Sequence, residues 1–152
     1  LVTSACERRT TIQGGEMNEQ KRSEMALTLI RLALAGLLAA HGWARFIGGG
    51  VVPFGNWLDS QGIPFGFIIA AGVTAIEIVG TPLLAARKFV FALAVSYAAI
   101  YVVGIFMVHA KAGWFVVGAG RNGMEYSVLL IVCLLALAWR DLPQRLARTA
   151  AR

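Results

Sequence analysis

The stretch Phe65–Ala86, FGFIIAAGVTAIEIVGTPLLAA, decides how the rest of the chain is read. It is a near-continuous apolar run of about the length a helix needs to cross a bilayer. Its one charge, Glu77, lies near the middle. A carboxylate at that depth cannot face hydrocarbon without cost, so it must meet protein, a polar cavity or a counter-charge. Three and four residues from Glu77 lie Val73, Thr74, Gly80 and Thr81, which share its face and allow another helix to come close. Pro82 removes its own N–H and crowds the carbonyl of Ile78, which predicts a bend one turn after Glu77.

Working outward, the composition agrees with a membrane setting. Hydrophobic residues make up 58% of the 152 and charged residues 14%, against about a quarter charged in soluble domains. The apolar residues fall in long blocks rather than in one amphipathic pattern. The net charge of +6 comes from short basic flanks and not from a continuous stripe, so no nucleic-acid surface is expected. Three further spans accompany the central one: Met25 to Ile47, Phe89 to His109, and a shorter one from Met124 to Trp139. The expected fold is all-α, a transmembrane four-helix bundle occupying residues 25–139.

The flanking segments read differently. Residues 1–24 are polar and aperiodic, and are expected to be a disordered extension. The chain opens on Leu, and Met17 and Met25 are alternative starts. Residues 48–64 carry glycines and two prolines and read as a loop, with Phe54 and Trp57 as interfacial anchors. Residues 140–152 are basic and suit a surface helix on anionic lipid. Counting Lys and Arg with both termini inside places ten on the inner segments and Arg45, Lys111 and Arg121 outside, with Arg31 inside a span; together these are the 14 of the whole chain. The positive-inside bias therefore predicts cytoplasmic termini.

That orientation sorts the polar residues into two groups. His41, Arg45, His109 and Glu125 fall at outer span ends and are expected to form an outward mouth. Glu77, Arg31, Thr74 and Thr81 form an intramembrane polar site. Counting depth from the inner helix ends brings Arg31 and Glu77 to similar levels, which predicts an ion pair between them. Such a pair serves equally well as a register pin or as a working group. His41 and His109 lack the local spacing of a metal site, and no metal is assigned. Helix-dipole stabilisation alone accounts for Glu125, and packing accounts for Tyr97 and Tyr101. Cys6 and Cys133 form no CxxC, so thiol–disulfide chemistry is set aside.

The ordered set His41-Gly42 with Arg45-Phe46, Gly62-Ile63-Pro64, Glu77, Arg87, His109 and Gly123-Met124-Glu125-Tyr126 resembles the DoxX family of small four-helix bacterial membrane proteins. The resemblance covers Met25 to about Trp139. It implies a multi-pass protein of the bacterial inner membrane, sometimes attached to oxidoreductase complexes, with a quinone-linked thiosulfate-oxidising subunit among its relatives. It does not imply one shared reaction.

Two function classes follow. In the first, the chain is an accessory subunit of a membrane redox assembly that handles a quinone, a proton or a partner. No cofactor is evident from the residues themselves; quinone or haem is the class such a role would call on. In the second, it is a non-catalytic interaction or assembly protein. A small-solute or proton carrier ranks third, because the chain has no paired broken helices. Expected partners are the lipid bilayer, another membrane or redox protein, or a second copy of the chain.

Overall fold

The computed structural model describes the backbone of residues 2–117 and 122–143, and side chains from Met17 onward. Every regular element among the described residues is helical. Helix α1 spans Val2–Ile47, α2 spans Val51–Ser60, α3 spans Gly66–Ala85, α4 spans Val90–Ala112 and α5 spans Glu125–Arg140. Among the described residues three segments are long and apolar enough to cross a membrane: Met17–Ile47 within α1, Gly66–Ala85 and Val90–Ala112. At 16 residues α5 is shorter, about 24 Å at helical rise, and packs along α4 and against α1.

One stripe of α1 carries its contacts. Leu34, Ala35 and Leu38 are buried, Leu27 packs beside them, and Gly42 and Arg45 continue the same three-and-four spacing. Leu84 of α3, Val90, Ala94 and Tyr97 of α4, and Leu130, Leu134 and Leu137 of α5 complete the core. This core sits toward the end of the molecule that holds the α3–α4 turn. The same end carries an ion network: Glu24 pairs with Arg140, and Arg87 lies 3.6 Å from both Glu24 and Asp141. The network ties α1 at Glu24 to the α3–α4 turn and to the end of α5. Its groups are partly exposed, so each link contributes at most about 1 kcal/mol.

Two expectations change here, and the described backbone of residues 2–24 continues α1. Its last turns carry good helix formers, including Glu19, Gln20, Lys21 and Arg22, and propagating an existing helix avoids the nucleation penalty. The segment 48–64, expected as a loop, contains α2. Pro53 lies in the first turn of α2, where its missing N–H had no intrahelical partner in any case. The irregularity expected at Pro82 is a π-helical turn over Ile76–Gly80, immediately before the proline and around Glu77 itself. The basic-tail expectation for 140–152 falls largely on residues 144–152, which lie outside the described residues.

The α2–α3 corner fixes the other end of the molecule. Asp59 Oδ1 accepts the Gly66 N–H at 2.9 Å, satisfying one free donor at the start of α3. Gly55 and Gly66 meet so closely that a Cβ on Gly66 would stand 2.2 Å from the Gly55 carbonyl. Helix α2 is therefore clamped to the head of α3 by backbone contact.

Candidate functional site

Glu77 is buried on α3, at 3% exposure. Helix α1 reaches it through Gly42: a Cβ there would lie 2.7 Å from Glu77 Cβ and 3.2 Å from its main-chain carbon. A glycine is thus required for the two helices to touch at this level. One turn further along the same face, Arg45 extends its guanidinium to the carboxylate. Arg45 Nη1 donates to Glu77 Oε2 at 2.5 Å and to Thr74 Oγ1 at 3.3 Å, and Thr74 in turn donates to the Ala70 carbonyl at 2.7 Å. The Phe54 ring of α2 covers the guanidinium, with 4.9 Å between the charged carbon and the ring centroid, a cation–π contact. Trp57 stacks on Phe54 at 6.1 Å.

The counter-charge of Glu77 is therefore Arg45 and not Arg31. The reason is register. Gly42 faces Glu77, and Arg31 lies eleven residues earlier on α1, roughly 16 Å away along the axis. Depth counted from Met25 misplaces it because the helix does not begin at that residue. Arg31 is buried at 7%, and its Nε has no hydrogen-bond partner among the described residues. The same register leaves α1 ending at Ile47, about one turn and a half beyond Glu77, while α3 runs on for eleven residues to Gly66. Helix α2 occupies the space beside that N-terminal half of α3, which brings Phe54 onto Arg45.

The backbone around Glu77 has its own supports. Thr81 Oγ1 donates to the main-chain carbonyl of Glu77 at 2.7 Å, so Thr81 holds the turn and not the carboxylate. Tyr97 of α4 donates its phenolic proton to the Ile76 carbonyl at 2.6 Å. Gly80 makes room for that contact, since a Cβ there would lie 2.5 Å from the Tyr97 oxygen. A π turn leaves some carbonyls without their usual helical donors, and these two hydroxyls supply replacements.

The expected outer mouth is divided. Arg45 turns inward to Glu77, whereas Glu125 accepts the Val116 N–H at 2.9 Å and organises its own loop. That loop is further tied by Met124 N–H to the Gly113 carbonyl and Glu125 N–H to the Trp114 carbonyl. His109 Nδ1 lies 2.7 Å from the Asn122 carbonyl, so that nitrogen carries the proton. His41 is exposed on α1. None of the four bonds to another of them among the described residues.

The ion pair is not sealed. Arg45 side-chain exposure is 21% and that of Glu77 is 5%. Arg45 Nε and Nη2 and Glu77 Oε1 make no hydrogen bond among the described residues, yet none of them is among the fully enclosed orphan atoms. Two apolar clefts flank the site. One, of about 540 Å³, lies between the end of α1 and α3 and includes Thr74, Trp43, Phe67 and Ile78. The other, of about 420 Å³, lies between α2, α3 and α4 and is walled by Phe54.

Sequence reasoning found Glu77, Thr74 and Arg45 but put Arg45 in a different group from the other two. It treated Phe54 only as an interfacial anchor and Gly42 only as part of a pattern. The available signal was the Gly42/Arg45 spacing: a small residue and a cation one turn apart fit a close helix crossing with a buried acid. The family model described as DoxX matches residues 26–110, just over half of the chain, from α1 to near the end of α4. No curated protein and no solved structure matches the chain.

Proposed function

The chain belongs to the DoxX family, and on that premise we propose that it is an accessory subunit of a membrane redox assembly whose working site is the Arg45–Glu77 pair. The observation that carries this reading is the unsealed state of that pair. A pair kept only to fix helix register is best closed, with every lone pair and proton satisfied. Here one carboxylate oxygen and two guanidinium nitrogens retain unused bonding capacity. Thr74, which accepts from Arg45, lines one of the flanking apolar clefts, and Phe54, which covers the guanidinium, lines the other. Arginine suits this task because its charge persists and its planar donors can serve two acceptors at once.

In this reading α5 is the fourth span of a bundle in the bacterial inner membrane, with both termini cytoplasmic. Its 16 residues are short for a crossing and call for local thinning of the bilayer or help from flanking residues. The inner-end ion network then lies on the cytoplasmic side, and the Arg45–Glu77 site in the outer half.

The test is co-purification of the chain in mild detergent, with mass spectrometry and an absorption spectrum of the complex. A stoichiometric oxidoreductase partner with a haem or flavin signal supports the proposal. A stoichiometric partner without any chromophore replaces it with the assembly-protein reading, and a chain that purifies alone refutes both.

A further inference from the structure

Arg31 is a buried charge that the Arg45–Glu77 site leaves unused. It is only 7% exposed, its Nε is enclosed without a hydrogen-bond partner, and no carboxylate pairs with it among the described residues. Arginine keeps its charge throughout the physiological range, so burial cannot discharge it as it would a lysine or a carboxylate. A cation so placed calls for an acceptor. Glu24 and Asp141, the two acids of the nearby ion network, are already taken up by Arg140 and Arg87.

The register of α1 on α3 tells where this guanidinium opens. Gly42 faces Glu77, and Arg45, three residues later, reaches Thr74, three residues earlier, so the two helices run antiparallel in step. Eleven residues back from Gly42 and eleven on from Glu77 bring Arg31 level with Lys88, in the turn between α3 and α4. Arg31 shares a face with Ala35, Leu38 and Gly42, the face that α1 turns to α3. A helical side chain leans toward the N-terminus of its helix, here toward Glu24. Its Nη1 and Nη2 are not among the enclosed orphan atoms, so they open near the level where α3 ends at Ala85 and α4 begins at Val90. Span ends mark the depth of lipid headgroups. Lys88 is exposed there and has no ion pair among the described residues. With Arg31, Arg87, Lys88 and Arg140 against Glu24 and Asp141, this end carries a surplus of positive charge.

From this geometry we infer a phosphate-binding site in which Arg31 is the buried anchor and Lys88 the exposed flank. The Nη groups hold their N–H donors in one plane, which suits two oxygens of a single phosphate. The phosphate is that of a phospholipid head, or inorganic phosphate arriving from the aqueous side. The site does not rest on the Arg45–Glu77 reading. It also holds in either orientation of the chain, since both leaflets offer phosphates at this depth.

The full chain, stripped of phospholipid by detergent exchange, is titrated separately with dioleoylphosphatidylglycerol, dioleoylglycerol and inorganic phosphate at constant ionic strength, and Tm is followed through helix content. A ligand held only by the folded chain raises Tm saturably. A rise with phosphatidylglycerol alone assigns a lipid head, and a rise with inorganic phosphate assigns free phosphate; either supports the site. An equal rise with dioleoylglycerol overturns it, because that lipid has the tails without the phosphate. Arg31→Gln should raise the half-saturating concentration by about tenfold or more, and Lys88→Gln severalfold. Without ligand, Arg31→Gln should unfold no earlier than the parent, since it removes a charge that has no partner among the described residues. Lys88 is exposed, so its replacement tests the site even where Arg31→Gln lowers the yield of folded chain. Arg22→Gln takes the same charge from an exposed position on α1 and should leave the half-saturating concentration unchanged. An equal loss in Arg22→Gln reduces the effect to diffuse surface charge and overturns the site. So does a parent without a saturable rise, or a response that neither Arg31→Gln nor Lys88→Gln alters.

Discussion

Replacing either partner of the Arg45–Glu77 pair should destabilise the chain, and replacing both should largely restore it. The two single changes are not equivalent. Arg45→Gln leaves a carboxylate whose side chain is only 5% exposed, whereas Glu77→Gln leaves a guanidinium that is 21% exposed and still has Phe54 over it. Removing one member of a buried pair costs roughly 3–5 kcal/mol. Arg45→Gln is expected near the top of that range and Glu77→Gln near the bottom. For a chain of this length such losses correspond to a fall in Tm of about 6–20 °C. The double variant places two neutral amides within hydrogen-bonding distance and strands no charge. Its coupling energy should be at least about 2 kcal/mol, well above the few tenths seen between independent sites. Thermal unfolding of the four chains in one detergent, followed by helix content, gives the cycle directly. Arg31→Gln serves as the control and should show no coupling to Glu77→Gln. Additive single effects, or coupling of Glu77 to Arg31 in place of Arg45, would refute the register on which the site is built.

Gly42→Leu should separate α1 from α3 at the site, since even a methyl group lies 2.7 Å from Glu77 Cβ; a loss of about 1–3 kcal/mol is expected from overpacking, measured by thermal unfolding. Tyr97→Phe leaves the Ile76 carbonyl without its hydroxyl donor and should cost about 1–3 kcal/mol; an unchanged Tm would mean that carbonyl has another partner. Glu125→Ala frees the Val116 N–H and should speed protease cleavage between α4 and α5 with little effect on global Tm. A periplasm-only reporter fused after Arg152 should be silent and one inserted at Gly49 active, with the reverse pattern overturning the proposed orientation.

How far the sequence could be read depended on whether a feature was local. The spans were legible because an unbroken apolar run has few other uses, and their ends at Ile47, Ala85 and Val90 fall within a residue or so of the boundaries read from hydropathy. Glu77 was legible for the same reason, as the one charge in such a run. What the sequence could not supply was register between helices that are distant in the chain. The Arg31 pairing assumed that all spans start at one level. The actual offset is set by Gly42 and Gly80, which allow close approach at Glu77 and Tyr97, and by α2, which occupies the space left where α1 stops short. Helix α2 itself was hidden because Gly and Pro residues ordinarily mark loops. Pro53 in a first turn and Gly55 against Gly66 use the same two residue types for helix initiation and backbone contact. The consequence reaches the site: with 48–64 as a loop, Phe54 is a surface anchor, and with α2 in place it becomes the lid on Arg45. A chain with the same spans but without α2 would expose that guanidinium to lipid, so the short helix is part of what makes a cation tolerable at this depth.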